Sequence, residues 1–345
     1  MLHATQTIGV AMSGGVDSTV TAQLLLEQGF SVHGFFMVLP LPGLDQQISR
    51  VTRIARHLQI PLHCVDLRQQ FNITIIQYFV DSYRQGLTPN PCVVCNQMIK
   101  CGQLMQEMTA CGMAKMATGH YARIMHSDDD TVTLHRAVDL SKDQSYFLCR
   151  LSAEQLERLI LPLGNWKKSA VYEQARRMEA LDFDGKESQD VCFLANRELT
   201  SFLAEQGLPG RSGEIRTGDG KVLGSHRGIW QYTVGQRRGL GIPDATPWYV
   251  TALDTATNQV IIDKNDKLFH RDLLLRDVQW LIPAQDNRKG RVQIRSRHRA
   301  AEAEIQPLDN NRAQVCFAEP QRAITPGQFA VFYQEQQVIG SGIIM

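Results

Sequence analysis

The chain has 345 residues, of which 43% are hydrophobic and 21% charged, and its formal net charge is +1. This length exceeds one ordinary core and predicts two or three domains of a globular protein. No apolar run approaches the roughly 18 residues that span a bilayer, and the start MLHATQTIG lacks the features of a secretory signal. We therefore expect a cytoplasmic protein with no membrane partner, whose eight cysteines act as thiols or ligands rather than as disulfides.

The first half of the chain alternates short β-branched runs with amphipathic helical stretches. This rhythm predicts βαβ units on a parallel sheet, whose ligands bind at the carboxyl ends of the strands. The predicted strands are Ile8–Met12, Val32–Val38, Leu62–Leu67 and Lys115–Thr118. The predicted helices are Ser18–Glu27, Gln47–His57, Gln69–Arg84 and Gln97–Ala110. Beyond about residue 200, short strands and glycine-rich turns replace the helices, and Asp219-Gly220 predicts a hairpin.

The stretch IGVAMSGGVDSTV joins a strand, a glycine-rich turn and a helix start. Backbone N–H groups and the positive end of the helix dipole make such a turn a phosphate site. The turn lacks the lysine that stabilises the β- and γ-phosphates in G-x-x-x-x-G-K-[ST] loops. We therefore predict that it grips pyrophosphate while AMP passes to an acceptor oxygen. The alternative is a plain turn in which Asp17 or Ser18 caps the helix and no ligand binds.

Two cysteines are candidate nucleophiles. Cys95, in TPNPCVVCNQMIKCG, follows two prolines and precedes a helical run, so we expect its sulfur near a helix N-terminus, where a thiol pKa falls. Cys192, in ESQDVCFLANREL, precedes another helix-like stretch. Taken alone, the sequence around each of them also fits a cysteine that packs as a small buried hydrophobic side chain. We assign that buried role to the cysteines in apolar or helical patterns, namely Cys64, Cys111, Cys149 and Cys316.

Motifs along nearly the whole chain resemble those of the tRNA-specific 2-thiouridylases, within the ATP-pyrophosphatase PP-loop superfamily. In order, they are AMSGGVDS, FFM, TPNPCVVCN, ATGHYAR, SKDQSYFL, ESQDVCFL, YTVGQRRGLGI and TPGQFAVFY. The resemblance implies that ATP adenylates the C2 carbonyl oxygen of the wobble uridine 34 in tRNA. A cysteine persulfide then delivers sulfur to C2 and gives 2-thiouridine.

The resemblance also implies the fold and its division. The expected class is α/β, with an N-terminal parallel-sheet PP-loop nucleotide-binding domain, a small β-rich central domain and a C-terminal β-barrel. The catalytic domain would cover residues 1–200, the central tRNA-binding domain residues 201–268 and the barrel residues 269–345.

Roles follow from the same resemblance, position by position. Cys95 would be the nucleophile and Cys192 the persulfide carrier, and no metal site is expected. The residues expected to bind ATP with Mg²⁺ are Ala11, Met12, Ser13, Gly14, Gly15, Val16, Asp17, Ser18, Met37 and Gly119. The residues expected to contact tRNA are Asn90, Pro91, Cys92, His120, Lys142, Asp143, Gln144, Arg297, His298 and Gln328. A cysteine desulfurase or sulfur-relay protein would supply the sulfur to a monomeric enzyme.

The run RKGRVQIRSRHR, from Arg288 to Arg299, holds six Lys or Arg and no acid. As one strand it would present a basic face suited to a phosphate backbone. That face would consist of Arg291, Gln293, Arg295, Arg297 and Arg299. The alternative is a solvated edge strand that uses charge against aggregation.

The chain departs from the resembled pattern in places. The loop after Met37 is shorter and neutral, Cys92 stands where many relatives carry Asp, and Cys101 replaces a common Phe. Two alternative functions stay open. Another adenylating enzyme, such as a 4-thiouridine or lysidine synthetase, would share the loop. A metal or iron–sulfur protein would use Cys92, Cys95 and Cys192, although a single C-x-x-C is weak evidence for zinc.

Overall fold

The computed structural model describes residues 6–126, 131–178, 191–194, 197–283 and 288–345. The chain divides into two compact units. The first comprises residues 1–75, 92–195 and 336–338, and the second comprises residues 76–91, 196–335 and 339–345. Among the described residues, no helix combines the length and apolarity needed to cross a membrane.

The strands, in chain order, are β1 Thr7–Ala11, β2 Ser31–Val38, β3 Leu62–Asp66, β4 Lys115–Ala117, β5 Ala122–His126, β6 Val132–Arg136, β7 Leu159–Ile160, β8 Gly213–Thr217, β9 Val222–His226, β10 Tyr249–Asp254, β11 Gln259–Asp263, β12 Phe269–Trp280, β13 Arg288–Gln293, β14 Ala301–Leu308, β15 Arg312–Arg322, β16 Phe329–Gln334 and β17 Gln337–Ile344. The α-helices are α1 Val16–Glu27, α2 Leu44–His57, α3 Arg68–Phe71, α4 Gln77–Arg84, α5 Pro91–Cys95, α6 Met105–Ala110, α7 Ala153–Glu157, α8 Lys168–Arg176 and α9 Leu199–Glu205. Two π-helical segments, Asn72–Ile76 and Asn96–Leu104, join α3 to α4 and α5 to α6.

The first unit is built on a parallel sheet with strand order β3-β2-β1-β4-β7. Val10 lies at its centre, opposite Gly34 on one side and Ala117 on the other. The chain runs from β1 outward to β2 and β3 and then returns to β4, so the strand order reverses next to β1. Ligands of open parallel sheets bind at the carboxyl edge of such a reversal point.

Helix α1 follows β1 and is covered on several sides. Its apolar residues, including Val20, Leu24 and Leu25, belong to the main core of the first unit together with Val171 and Ala175 of α8. Helices α1 and α8 contact each other. Because each follows a strand of one parallel sheet, both begin at the carboxyl edge, which brings their N-termini close together.

The predicted strands of the first half are confirmed to within one residue at each end. The two longest predicted helices are wrong in one respect, since each contains a π-helical segment. The second of these helical runs also begins earlier than predicted, at Pro91, and therefore includes Cys95. π-helical turns occur frequently at functional sites.

The second unit contains a four-stranded sheet in the order β10-β11-β8-β9. The hairpin predicted at Asp219-Gly220 is confirmed, because β8 and β9 pair antiparallel and Gly220 has φ +96°. One face of this sheet packs on a small core that includes Ile215, Val250 and Val260.

The same unit contains a closed six-stranded antiparallel barrel. The strand order is β12-β15-β14-β13-β16-β17, and β12 pairs with β17 to close it. Its interior is apolar, with Phe317 and Phe332 almost fully buried. The predicted fold class, a parallel-sheet domain followed by a small β-rich domain and a β-barrel, is therefore confirmed.

The predicted basic strand is wrong in its extent. Strand β13 ends at Gln293, which is buried, and residues 294–299 form a turn, so the expected single basic face does not exist. Within β13, Lys289 lies 3.7 Å from Glu304 and Arg291 lies 3.8 Å from Glu302, both on β14. Cross-strand acids therefore offset this part of the basic run.

A turn at residues 325–328 fixes the segment that precedes Asn90 in the second unit. The side-chain nitrogen of Gln328 donates to the carbonyl oxygens of Thr88 at 2.8 Å and Pro89 at 3.3 Å. The Thr88 amide in turn donates to the carbonyl oxygen of Pro326. Gly327 has φ +92°, and a Cβ there would lie 2.9 Å from the Thr88 nitrogen.

We expect Gly327→Ala to destabilise the protein by about 2 to 4 kcal/mol, because backbone strain and overpacking act together. Gly207→Ala is the matched control, since Gly207 has φ +79° but open space where a Cβ would stand. It should cost only about 1 kcal/mol. Urea unfolding measures both values, and equal losses would contradict the close approach at Thr88.

Candidate active site

The glycine-rich turn lies between β1 and α1, at the carboxyl edge of the sheet. The helix N-cap is Gly15, which makes no side-chain cap, so the alternative in which Asp17 or Ser18 caps the helix is wrong. The Ser18 hydroxyl accepts the Ser13 amide at 3.2 Å and donates to the Gly15 carbonyl oxygen at 3.1 Å. Gly14 has φ +79°, which a side chain would disfavour. These bonds hold the turn in one shape.

The carboxylate of Asp17 has two partners from distant parts of the chain. The Lys168 ammonium lies 2.8 Å from both carboxylate oxygens. The Tyr121 hydroxyl donates to one of them, also at 2.8 Å. Both partners are buried, with Lys168 7% and Tyr121 2% exposed. The site therefore contains a lysine, although the turn itself has none.

Lys168 is the functional candidate that sequence reasoning missed. It is the first residue of α8, and its backbone amide donates to the carboxylate of Asp139 at 3.0 Å. A buried cation at a helix N-terminus is unfavourable, because the dipole there is positive and burial removes hydration. The lysine pair at the start of a helix, in NWKKSAV, was the available signal that a compensating anion lies nearby.

The other predicted ATP residues lie at the same edge. Ala11 ends β1, Met12 is buried in the core, and Met37 is half-buried near the end of β2. Gly119 follows β4, and a Cβ on it would lie 2.9 Å from the Asp17 carbonyl carbon. The start of α1 therefore needs a glycine at position 119.

Three thiols of the first unit lie close enough to influence one another. Cys92 and Cys95 are three residues apart in α5, so they share a helix face. A charge on Cys192 would raise the pKa of Cys95, and a charge on Cys92 would raise the pKa of both. Lys100 acts in the opposite direction and lowers the pKa of all three thiols. The structure therefore brings together the two cysteines that the sequence singled out.

The predicted fall in the pKa of Cys95 is wrong. Burial raises the pKa of this thiol to about 12, and it outweighs the opposing charge of Lys100. Cys95 is the fifth residue of its helix rather than a residue before it, so the helix N-terminus does not compensate. Although Cys192 is exposed, desolvation of its thiol raises its pKa as well.

All eight cysteines are described and carry free thiols. Cys149 is buried as predicted, whereas the assignment of Cys64, Cys111 and Cys316 as buried hydrophobes is wrong, since all three are exposed. Within the described part of the chain, no group of three or more Cys, His, Asp or Glu side chains is arranged to hold a metal ion.

Several residues predicted to contact tRNA have internal partners in the first unit. The Asp143 carboxylate accepts from Arg136 at 2.8 Å and from the Ser145 hydroxyl at 2.9 Å. The Gln144 side-chain oxygen accepts the amide of Tyr121 at 2.9 Å, which fixes the tyrosine that reaches Asp17. Lys142 lies beside them in the same turn and is half-buried.

His120 is also predicted to contact tRNA, and it is buried. Its Nδ1 lies 2.8 Å from the Thr118 hydroxyl. Burial and the charge of Lys100 hold its pKa well below the usual value, so the imidazole is neutral near pH 7. Lys100 therefore acts on both His120 and the thiols, and Gly119, the residue before His120, packs against Asp17 of the loop.

The tRNA candidates of the second unit divide by exposure. Arg297 is exposed, while His298 is half-buried with its Nε2 3.0 Å from the side-chain oxygen of Gln321. Asn90 and Pro91 are buried. The side-chain nitrogen of Gln328 donates to the carbonyl oxygens of Thr88 and Pro89, which precede them in the chain. Of these five residues, only Arg297 presents an exposed charge.

Comparison with known proteins agrees with this architecture. Residues 6–196 match a family model described as a tRNA methyl transferase HUP domain. Residues 200–264 match its PRC-barrel domain, and residues 270–344 match an aminomethyltransferase beta-barrel domain.

Curated relatives match over nearly their whole length. A protein of Desulfotalea psychrophila is 48% identical over 98% of this chain and 98% of its own. A protein of Syntrophomonas wolfei is 42% identical over 98% and 99%, and one of Carboxydothermus hydrogenoformans is 39% identical over 97% and 96%. All three are named tRNA-specific 2-thiouridylase MnmA.

The lysine-free turn on a parallel HUP sheet defines an ATP-using enzyme of the PP-loop class. Within that class, the chain belongs to the tRNA-specific 2-thiouridylase family. The resemblance read from the motifs is thereby confirmed.

We expect the alkylation of Cys95 by iodoacetamide to rise about tenfold per pH unit between pH 7 and 10, because the thiolate reacts and a pKa of about 12 keeps it scarce. Lys100→Gln should raise this pKa further and slow the reaction. Lys167→Gln, at an exposed lysine, serves as the control. Peptide mapping by mass spectrometry measures the alkylation rate at Cys95 itself. A rate that levels off below pH 9 would refute the high pKa.

Proposed function

We propose that this protein is a tRNA-uridine 2-sulfurtransferase that converts the wobble uridine 34 of tRNA to 2-thiouridine. The observation that carries the proposal is that one unit holds both a PP-loop and two thiols close enough for a charge on Cys192 to act on Cys95. The loop suits activation of an oxygen by ATP, and the thiols suit delivery of sulfur. Membership of the 2-thiouridylase family supports the same substrate.

The first step makes the uridine oxygen a leaving group. We propose that the C2 carbonyl oxygen attacks the α-phosphorus of the Mg²⁺ complex of ATP, which is a co-substrate. The bond from this phosphorus to the bridging oxygen breaks, and pyrophosphate leaves with the electron pair. The turn at Ser13–Ser18 would bind the phosphates through its backbone amides and the N-terminus of α1. The proposed ATP residues are the ones expected from the sequence.

The second step replaces oxygen by sulfur. The terminal sulfur of a persulfide on Cys192 attacks C2, and AMP departs with the C–O bonding electrons. The Cys95 thiolate then attacks the Cys192 sulfur, which releases 2-thiouridine and leaves a Cys95–Cys192 disulfide. An external dithiol must reduce this disulfide before the next turnover. Lys100 supports the step, since it lowers the pKa of both thiols.

The exposure of Cys192 supports its role as carrier, because an upstream donor must reach it. We propose a cysteine desulfurase or a sulfur-relay protein as that donor, and a monomeric enzyme in the cytoplasm, where tRNA is found. The two-thiol route needs no cluster, and we favour it over an iron–sulfur route.

The internal bonds of several predicted tRNA residues limit which of them we propose as direct contacts. Arg297 is the best phosphate contact of the set because it is exposed. Asn90, Pro91 and Cys92 would line the target base. His120, Lys142, Asp143, Gln144, His298 and Gln328 would then act mainly by holding these surfaces in shape. We propose domains at residues 1–200, 201–268 and 269–345, which the family matches at residues 6–196, 200–264 and 270–344 support.

The description of the matching family as a methyl transferase raises a second activity. Methyl transfer requires a methyl donor, and it uses neither cleavage of ATP at the α-phosphorus nor a pair of thiols. The loop and the thiols therefore favour thiolation over methylation. The two outcomes differ in the mass gained by the nucleoside.

Purified protein incubated with unmodified tRNA, ATP, Mg²⁺, a cysteine desulfurase with its cysteine substrate as the persulfide source, and a dithiol should release AMP with pyrophosphate. Mass spectrometry of the digested nucleosides should find a sulfur-for-oxygen gain on the wobble uridine. Release of ADP with phosphate would refute the proposed use of the loop. The same gain at another uridine would indicate a different PP-loop enzyme, and a methyl gain would favour the second activity.

Cysteine variants should separate the two thiol roles. Cys192→Ser should lose both persulfide labelling and activity, whereas Cys95→Ser should lose activity yet still accept sulfur at Cys192. Cys92→Ala should keep appreciable activity, and Cys111→Ser, at an exposed thiol outside the site, is the control. Stoichiometric iron that disappears in Cys92→Ala together with activity would favour the cluster route instead.

A further inference from the structure

The proposed function leaves one strong charge at the loop without a role. Lys168 comes from α8, yet its ammonium lies at the N-terminus of α1, 2.8 Å from each oxygen of Asp17. The rings of Tyr121 and Tyr172 flank it, with centroids 5.4 and 4.9 Å from its nitrogen. Its side chain is 9% exposed, against 33% for that of Asp17.

A purely structural salt bridge is a weak explanation for this arrangement. Burying a lysine at the positive end of a helix costs hydration and opposes the dipole, and a pair of apolar residues would join α1 to α8 as well. A fixed cation at this position does have a chemical use, because α1 begins where the phosphates of a PP-loop substrate bind. Negative charge grows on the pyrophosphate when it leaves the α-phosphorus, and preorganised cations stabilise such charge.

We propose that Lys168 binds the departing pyrophosphate and thereby supplies from α8 the cation that the loop lacks. Asp17 and Tyr121 hold the ammonium beside the loop, and Gln144 holds Tyr121 through its backbone amide. Lys168 acts through its charge and transfers no proton in the reaction. This inference rests on the proposed adenylation by the same site, and it adds a residue that neither the loop motif nor the predicted ATP set contains.

Pyrophosphate and AMP, the two fragments of ATP released over a full turnover, should respond differently to loss of Lys168. Lys168→Met removes the charge while keeping a chain of similar length. It should weaken the binding of inorganic pyrophosphate by about 10- to 100-fold, as expected for one lost charge-assisted bond, and leave AMP binding unchanged. The rate of pyrophosphate release from ATP with tRNA should fall by about 10² to 10³, the usual effect of removing one such preorganised group. Lys167→Met, at the adjacent exposed lysine, should change neither quantity.

Isothermal titration of the purified full chain with pyrophosphate and with AMP tests this directly, together with melting temperatures of each variant. A folded Lys168→Met protein that binds pyrophosphate like the wild type would overturn the proposal, and so would equal losses for both ligands. If the wild type itself releases no pyrophosphate from ATP in the presence of tRNA, the proposed function fails instead.

A second measurement on the unchanged protein applies even if Lys168→Met does not fold. Adenosine diphosphopyridoxal places an aldehyde beyond its two phosphates, where it condenses with a nearby amine, and borohydride then fixes the adduct. Peptide mapping should find the label on Lys168, and ATP should prevent it. Labelling confined to other lysines, or unaffected by ATP, would contradict the proposal.

Discussion

The contact between the Asp17 carboxylate and the Lys168 ammonium joins the parts of the first unit that matter most for its chemistry. Asp17 stands in the first turn of α1, directly after the glycine-rich turn, and Lys168 begins α8. Both ends meet because helices that follow strands of a parallel sheet start at its carboxyl edge. Tyr121 adds a neutral donor to the same carboxylate. The loop, the strand edge and two helices are thus held by one partly buried ion pair, whose loss would leave a charge uncompensated.

A second constraint governs the thiols, and it works against simple reactivity. Burial raises the pKa of Cys95 far more than Lys100 lowers it, so the resting thiol is protonated. Such a thiol resists adventitious oxidation, because the thiolate is the reactive form. Cys192 combines an exposed position with a smaller upward shift, which suits a residue that must receive sulfur from outside. The difference in environment therefore assigns different tasks to two chemically identical groups.

Many residues that the family resemblance marks for RNA serve the protein's own structure. Asp143 and Gln144 form internal bonds near Tyr121, and Gln328 holds the carbonyl groups that precede Asn90. Lys289 and Arg291 lie opposite glutamates of the neighbouring strand β14. A substitution at such positions would weaken RNA binding by displacing a surface rather than by removing a contact. Loss of binding alone would consequently not identify a contact residue.

Sequence patterns were enough to predict the local order of strands and helices, the phosphate-binding turn and the spacing of Cys92 and Cys95, because each depends on neighbouring residues and periodicity. The sequence also carried enough motifs to indicate the family. The contact between Lys168 and Asp17 is visible only in the folded chain, since these residues are 151 positions apart and no local pattern couples them. The pKa of Cys95 and the offset charges of β13 were equally out of reach. Burial and cross-strand pairing are properties of the packed chain, and a sequence pattern records only which residues are available for them.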